Sequence, residues 1–449
     1  MDGTAAENAR PITYARVTAL AVPIVLSNAA VPLQSAVDVA IVGNTGDTTL
    51  MAAIALGAAA VVLVLTSFNF LQTGLSGTTA QAFGADRPER AVHTLLRGLI
   101  LAGAIALGLI VLRAPIAAAT LLLFEGSAEA EAAAAGYIAV RFWGAPFELG
   151  NYALMGWFAG QGRTRRLFEI QLAVSLVNVT ATLAFVLGLG LGLEGVALGT
   201  ATGHAAAFAY GAWRARQRAR EVLPAGWRPD PARVARAEEI AALMRRNRDI
   251  FVRTLLLTFS FAWVARLGSI QGDRILAANG VLWEFFYVSA AALDGFAIAA
   301  ESLVGRAIGQ GSRERLRASV RVASTACLGL AAAISLGLLA LSGPIVDLFT
   351  DVEAVRETAR TYAFWAAFTP LVGAFAFMLA GVFIGAADGR AMRDSMVIAA
   401  GLFLPGGWLM TEAFGNHGLW AAVWAFLSLR ALTLAARYPR LEARVAVPA

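Results

Sequence analysis

Long apolar stretches, separated by short polar segments, make up most of the chain. About 20 apolar residues are needed to cross roughly 30 Å of hydrocarbon as a helix. Stretches of that kind fall at residues 14–43, 50–82, 92–123, 132–160, 167–188, 193–213, 250–272, 275–305, 318–349, 360–386, 394–413 and 417–436. An outer-membrane barrel would instead show alternating segments of about ten residues. We therefore expect an all-α polytopic membrane protein with twelve transmembrane helices.

Composition supports a membrane protein and argues against nucleic acid as a partner. Only 15% of the residues are charged, against about 25% in soluble domains. All 36 basic residues are arginine, and the net charge is +6. These arginines lie mainly in short loops, so orientation by the positive-inside rule explains them better than a nucleic-acid surface does. The single cysteine, Cys327, excludes an intramolecular disulfide.

The loop charges alternate along the chain and predict its orientation. One set of loops is basic, with Arg87, Arg90, Arg163, Arg165, Arg166, the 213–248 stretch, Arg313, Arg315, Arg317, Arg390, Arg393, Arg437, Arg440 and Arg444. The other set is mostly acidic, with Asp47, Glu125, Glu129, Glu131, Glu194, Asp347, Asp351, Glu353 and Glu412. We expect both termini to be cytoplasmic, in an inner-membrane protein without a cleaved signal peptide.

An internal repeat divides the chain into two halves. The segment QAFGADRPER (81–90) resembles RAIGQGSRER (306–315), and GWFAG (156–160) resembles GVFIG (381–385). Both pairs are separated by 225 residues. We expect a six-helix N-lobe over residues 1–212, a cytoplasmic linker over 213–248 and a six-helix C-lobe over 249–449. In such proteins the substrate site lies between the repeats, and transport occurs when the repeats rock against each other.

One carboxylate lies inside the first apolar stretch. Asp38 follows Asn28, Pro32 and Gln34 in the segment SNAAVPLQSAVDVAIVG. A carboxylate at membrane depth costs about 3 kcal/mol on insertion scales, so it is by default a candidate functional group. It can be neutral when it faces one side of the membrane and ionised when it faces the other, and it can bind either a proton or a lipophilic cation. The alternative is that Asp38 only hydrogen-bonds neighbouring helices.

Other polar residues lie at helical spacing within the apolar stretches. Asn178 and Thr182 share one face of the fifth helix, where they can hydrogen-bond Asp38 or water. Asn69 and Thr73 likewise share one face of the second helix. The alternative for all four is packing between helices, which is common for such residues in membrane bundles.

The eighth predicted helix carries two acids on one face. Asp294 is a second candidate for a protonatable group, and Glu301 is expected to form a structural ion pair near Arg306. We assign a candidate substrate cavity to Asn28, Gln34, Asn69, Thr73, Met155 and Asp294.

Four stretches of the chain match a family pattern: PIVLSNAAVPLQSAVDVAIVG near the start, ALDGFAIAAESLVGRAIGQG (292–311), GVFIGAADGRAMRDSM (381–396) and GNHGLWAAVWAFLSLR (415–430). The first resembles the first helix of the multidrug and toxic compound extrusion (MATE) transporters, and the other three resemble the DinF-like branch of that family. The resemblance covers essentially the whole chain. It implies two six-helix lobes around a central cleft, and export of organic cations and other amphipaths against an inward flow of H⁺ or Na⁺.

The resemblance also implies a cation-coupling site in the N-lobe. Asp38 matches the first-helix acid of the family, and Asn178 and Thr200 match polar positions in the fifth and sixth helices. Thr182 stands where the family usually has an acid. Predicted helices seven and ten carry no carboxylate, which argues against a sodium site in the C-lobe.

The sequence therefore predicts a proton-coupled antiporter that exports lipophilic organic cations by rocking alternating access. Sodium coupling remains an alternative. So does a lipid-precursor flippase or an organic-anion exporter, because Arg141, Arg253 and Arg266 lie inside predicted spans. An enzyme or a membrane scaffold is disfavoured, since no catalytic constellation has recognisable spacing. We expect a monomer, no cofactor, no metal site and no ATP drive, because His93, His204 and His417 lack ligand spacing and no P-loop is present.

Overall fold

The computed structural model describes residues 8–43, 48–122 and 127–445, apart from the side chains of residues 32–36, 38–43, 48 and 246. Throughout these residues the only regular structure is helical. The helices are α1 (Tyr14–Gly43), α2 (Thr48–Thr66), α3 (Phe70–Gly84), α4 (Pro88–Val111), α5 (Arg113–Leu121), α6 (Ala128–Trp143), α7 (Ala145–Gly160), α8 (Thr164–Leu183, continued by a π-helical turn, Ala184–Gly188), α9 (Gly192–Val222), α10 (Pro231–Val234), α11 (Ala237–Ile270), α12 (Asp273–Gly309), α13 (Arg313–Phe349), α14 (Glu353–Gly385), α15 (Gly389–Ala435) and α16 (Tyr438–Arg444).

The helices account for the predicted spans. Within the described residues, nine helical stretches are long and apolar enough to cross a membrane. One of them contains α15, which breaks at Gly415, where φ is +57° and ψ is −140°. Only glycine adopts that backbone conformation readily, so this residue separates the eleventh span from the twelfth. The consecutive helices α6 and α7, and the Arg-rich α9, supply the two remaining spans.

The chain divides into two compact units. The first contains Leu26–Met244 together with Asn8, and the second contains Ala9–Val25 and Arg245–Ala449. The polar stretch at 213–248 is largely helical, since α9 runs on to Val222 and α11 begins at Ala237. Within the first unit it packs on α4, where Arg97 donates to the carbonyl of Arg233 (2.8 Å) and pairs with Glu239 (3.2 Å).

Both units contain the same close helix crossing. In the first unit, a methyl group on Gly156 would overlap the backbone of Gln72, and one on Gly160 would overlap the carbonyl of Ser76. Helices α3 and α7 therefore approach backbone to backbone, as small residues allow in membrane proteins.

The second unit repeats that crossing between α12 and α14. Here a methyl on Gly381 would overlap the backbone of Ala297, and one on Gly385 would overlap that of Glu301. Each of these four residues lies 225 positions after its counterpart in the first unit. The repeat seen in the sequence is thus also a repeat of helix contacts.

A second backbone-to-backbone contact joins α8 and α9 in the first unit. The face of α9 presented there consists of small buried residues at every fourth position, namely Gly195, Gly199, Gly203, Ala207 and Gly211. A methyl on Gly199 would overlap Thr182, and one on Gly203 would meet Val174 and Asn178. This contact fixes the spacing of the polar side chains described next.

Candidate functional site

Two of the predicted site residues lie in α1 but outside the described side chains. They are Asp38 and Gln34, whose places in the helix are set by the backbone alone. Asn28, in the same helix, is half-buried.

The structure brings together the remaining predicted coupling residues between α8 and α9. The side-chain amide of Asn178 donates to Thr200 Oγ1 (2.9 Å), and Thr200 Oγ1 donates to the carbonyl of Val196 (3.1 Å). Thr182 lies one turn beyond Asn178 and packs on Gly199. Asn178 and Thr182 are completely buried. These contacts place three of the four predicted coupling residues along one contact between helices of the first unit.

This polar group has two open oxygen atoms. Neither Asn178 Oδ1 nor Thr182 Oγ1 has a hydrogen-bond partner among the residues that the structure describes. A buried polar atom without a partner is costly, so such atoms usually face a water, an ion or a side chain that completes them. Both oxygens are neutral, whereas hard cations are held best by charged oxygens. A carboxylate must join them if a cation is to bind tightly.

The predicted substrate-cavity residues belong to both units. Asn69 is exposed, and its carbonyl accepts from Thr73 Oγ1 at 3.4 Å within the same chain turn. Met155 is half-buried on α7, and Asp294 lies on α12 in the second unit. The α3 residues Gln72 and Ser76, on either side of Thr73, form the close crossing with α7.

A buried charged cluster, which the sequence did not predict as a site, lies where α6, α7 and α9 meet. Arg141 Nη2 bonds Glu148 Oε2 at 3.0 Å, and His204 Nε2 lies 3.4 Å from the same oxygen. The hydroxyl of Tyr152 also interacts with Glu148. Arg141 is one of the three arginines that kept an anionic substrate as an alternative, and in the structure it is paired with Glu148.

Two sequence signals could have revealed this cluster. Arg141 and Glu148 are opposite charges seven residues apart inside one apolar span, which is unusual without pairing. Gly144 ends α6 and begins α7, so both charges turn toward α9, whose Ala201 packs against Gly144. The histidine lies four residues after Thr200 and therefore on the same face of α9.

In the second unit, Arg253 is half-buried and Arg430 is buried. Arg253, on α11, interacts electrostatically with Asp294 and with Arg430. Arg430 is only 6% exposed, and its guanidinium lies 5.6 Å from the ring centroid of Phe426. The sequence overlooked Arg430, whereas Arg266, which lies inside a predicted span, is exposed.

The two acids predicted on α12 differ in environment. Asp294 is half-buried, whereas Glu301 is 3% exposed and Arg306 is 7% exposed. Within the described part of the chain, no three His, Cys, Asp or Glu side chains cluster in a way that could hold a metal ion.

Comparison with known proteins places this geometry in a family. The MatE family model matches the chain twice, at residues 23–183 and 250–409. The chain is 34% identical over 434 residues to the DNA damage-inducible protein F of Escherichia coli (strain K12), covering 94% of this chain and 91% of that one. It is 25% identical to the multidrug resistance protein MdtK of Edwardsiella ictaluri (strain 93-146), covering 94% of each chain.

Solved structures share the fold. A crystal structure of MATE in the straight conformation superposes with a TM-score of 0.87 at 17% identity, covering 99% of each chain. A transporter of the MOP superfamily from Pyrococcus furiosus Vc1 (DSM3638), described as having a binding pocket of reversed polarity, gives a TM-score of 0.84 at 18% identity, covering 99% of this chain and 98% of that one. The prediction of an all-α membrane protein with twelve helices in two lobes is confirmed.

The two matches of the family model coincide with the two repeats, and the relative from Escherichia coli confirms the predicted resemblance to the DinF-like branch. Members of this family are transporters, so the enzyme alternative is excluded. The chain belongs to the MatE family of multidrug efflux transporters.

Proposed function

We propose that this protein is a secondary active exporter that exchanges lipophilic organic cations for protons. The observation that supports this most directly is the polar group between α8 and α9, where two buried oxygens, Asn178 Oδ1 and Thr182 Oγ1, are open. Such oxygens can accept from a protonated carboxyl or a water, or help to hold a cation.

The coupling step is competition at one carboxylate. We propose that Asp38, in α1, supplies the negative charge that the neutral Asn178, Thr182 and Thr200 lack. With a proton on the carboxyl, a cationic substrate is not attracted and leaves on the outer side. When the proton is lost to the cytoplasm, the carboxylate again attracts a cation. Binding at each face is followed by rocking of the two lobes.

Protons fit the described part of the site better than sodium does. Sodium needs several oxygen ligands, preferably charged, and the family's usual acid in the fifth helix is replaced by Thr182. A proton needs only one acceptor. Exchange of one proton for one monovalent cation moves no net charge, so the pH difference drives it, and one pH unit provides about 1.4 kcal/mol, or about tenfold accumulation.

Transport in proteoliposomes tests the proposal. The purified protein is reconstituted, and efflux of ethidium is driven in turn by a pH gradient and by a sodium gradient. We expect efflux with the pH gradient alone, and its loss in Asp38→Asn. The matched control is Asp273→Asn, an exposed acid in the first turn of α12. Full transport by Asp38→Asn would refute the coupling role, and efflux driven only by sodium would refute proton exchange.

A second candidate substrate class is an organic anion. In the second unit, Arg253 interacts with Arg430 and with one acid, Asp294. One acid beside two arginines leaves positive charge for an acidic amphipath. The same liposomes distinguish the two classes, because an anion exporter would move a fluorescent carboxylate and lose that transport in Arg430→Gln. A cation exporter would move ethidium only.

We also propose a monomer in the inner membrane with both termini cytoplasmic, because the basic loops fall on that side. A cytoplasm-dependent fluorescent reporter fused after the last residue is expected to be bright. A dark fusion, with activity of an export-dependent reporter at the same place, would reverse the orientation.

A further inference from the structure

The buried cluster of Arg141, Glu148 and His204 lies in the first unit, outside the coupling group proposed above. Three helices contribute to it, one residue each from α6, α7 and α9. Arg141 is 6% exposed and Glu148 is 7% exposed, and the His204 side chain is 16% exposed. The Arg141 guanidinium and the His204 imidazole are both directed at one atom, Glu148 Oε2.

The charge balance of the cluster depends on His204. Arginine is always charged, and Glu148 is ionised beside it. With a neutral imidazole the cluster therefore carries no net charge, and with an imidazolium it carries +1. Histidine is the side chain whose ordinary titration lies closest to neutral pH, so this residue is the one that can change its charge.

One nitrogen of the His204 imidazole lacks a hydrogen-bond partner among the described residues. His204 Nε2 faces the carboxylate, so in the neutral ring Nε2 carries the proton and Nδ1 carries a lone pair. Nδ1 is buried and has no hydrogen-bond partner within the described residues. Protonation adds one N–H bond at Nδ1, breaks no other bond, and places the positive charge against Glu148. The neighbouring Asn151 donates its amide to the carbonyl of His204 at 3.0 Å, which holds this turn of α9 in place.

The position of the imidazole links it to the coupling group. His204 follows Thr200 by four residues, so their side chains lie about 5–6 Å apart on one face of α9. Thr200 accepts from Asn178, and the residue before the imidazole, Gly203, packs on Asn178. A positive charge at His204 therefore acts at short range on a cation held by Asn178, Thr182 and Thr200.

We propose that His204, together with Glu148 and Arg141, forms a second proton-binding site in the N-terminal unit. A proton bound there weakens cation binding at the neighbouring coupling group. The site itself is defined by the described geometry, and only its effect on transport rests on the proposed function.

The groups that face His204 come from every helix packed around it. Arg141 belongs to α6 and opposes its protonation, and Glu148 belongs to α7 and favours it. The hydroxyl of Tyr137 interacts with Arg141, and that of Tyr152 interacts with Glu148. On α8, the polar residues Asn178 and Thr182, which pack on α9 at Gly203 and Gly199, are uncharged.

A titration that needs no transport tests the site. The full-length protein, labelled with ¹⁵N-histidine and placed in lipid nanodiscs, is followed by nuclear magnetic resonance between about pH 5 and 8. The His204 signal is assigned by its loss in His204→Gln, and His93→Gln is the matched control. We expect the His204 signal to titrate in the wild type and to stay in the neutral form over the same range in Glu148→Gln. A wild-type His204 signal that does not change with pH would overturn the proposal, and that result needs no Glu148 variant. A titration of His204 that Glu148→Gln leaves unaltered would also overturn it.

The effect on transport is measured separately. Efflux of ethidium from proteoliposomes at a fixed membrane potential is compared across the same pH range. We expect His204→Gln to lose part of the decrease at acid pH, and His93→Gln to keep the wild-type profile. Identical profiles for both variants would contradict the link to cation binding. Absence of transport in the wild type would refute the proposed function instead, and the titration would still decide whether the proton site exists.

Discussion

The two units share one helix crossing but fill the adjacent helix pair differently. In the first unit, Asn178 packs on Gly203 and bonds Thr200. In the second unit, Phe403 stands 225 residues after Asn178 and Phe426 stands 223 residues after Gly203. Their rings pack with centroids 4.8 Å apart. The same place in the repeat is therefore polar in one unit and aromatic in the other.

The charged cluster follows the same rule. Ala366 and Gly373 stand 225 residues after Arg141 and Glu148, and Leu427 stands 223 residues after His204. Leu427 packs against Gly373 where the first unit has an ionised contact. A duplicated scaffold thus holds titratable chemistry in one copy and an apolar core in the other. The comparison teaches that the scaffold does not require the charges.

Removal of Glu148 is expected to have the largest effect on stability. Glu148→Ala leaves Arg141 buried without its carboxylate, and breaking such a pair costs about 3–5 kcal/mol of the free energy of unfolding. The measurement is denaturant unfolding of the purified protein in detergent.

The second unit provides the control for this change. Val372→Ala, at the neighbouring position of the repeat, is expected to cost no more than about 1.5 kcal/mol because it removes only two methyl groups. The double variant Arg141→Met with Glu148→Leu is expected to come within about 1 kcal/mol of the wild type, since an apolar core replaces the pair without a penalty. A double variant as unstable as Glu148→Ala would show that the charges are structurally necessary.

An intermediate effect is expected at the crossing that both units share. Gly160→Ala and Gly385→Ala each force a methyl group against backbone, and overpacking of this kind costs about 1–3 kcal/mol. Thermal unfolding should show similar losses for both. Gly103→Ala and Gly329→Ala are the controls, because among the described residues no atom lies within 4 Å of a methyl group placed on either glycine. These should raise stability by up to about 1 kcal/mol through helix propensity. A loss of stability in only one of the two variants would show that the two crossings are not equivalent.

The smallest expected effect on stability is the difference between replacing Asn416 and replacing Asn178, both of which are buried. Asn279 and Asn416 bond each other through both side chains (2.8 and 3.0 Å), and Trp420 also donates to Asn279. Asn416→Leu leaves Asn279 incomplete and is expected to cost about 1–3 kcal/mol. Asn178→Leu removes one hydrogen bond, and Thr200 keeps its bond to Val196, so about 0.5–1.5 kcal/mol is expected. Equal losses in the unfolding measurement would mean that the open oxygen of Asn178 is completed in the resting protein.

Much of the fold could be predicted from the sequence, because membrane spans follow from the length of apolar runs. Even the division between the last two spans was predicted near its place, since the runs end at 413 and restart at 417, and the backbone breaks at Gly415. The repeat was visible because glycine pairs such as Gly156 and Gly160 cannot be replaced where two backbones touch.

The candidate site could be predicted only in part. Asn178, Thr182 and Thr200 were identified because they interrupt apolar helices at helical spacing or match a family pattern. Glu148 and His204 lie 56 residues apart on different helices, and no periodicity indicates that the first turn of α7 faces the middle of α9. For the same reason Arg141 stayed open as a contact of an anionic substrate, although its partner is seven residues away.

The run of small residues on α9 has a mechanical consequence. Because the backbones of α8 and α9 touch at Gly199 and Gly203, little room lies between them for sliding or rotation. A shift of one helix would open a void along the whole contact, and packed interiors resist such voids. The two helices therefore move as one rigid unit, which carries both the polar group of Asn178, Thr182 and Thr200 and the imidazole of His204. Probes attached to the two helices should keep a constant separation through the transport cycle.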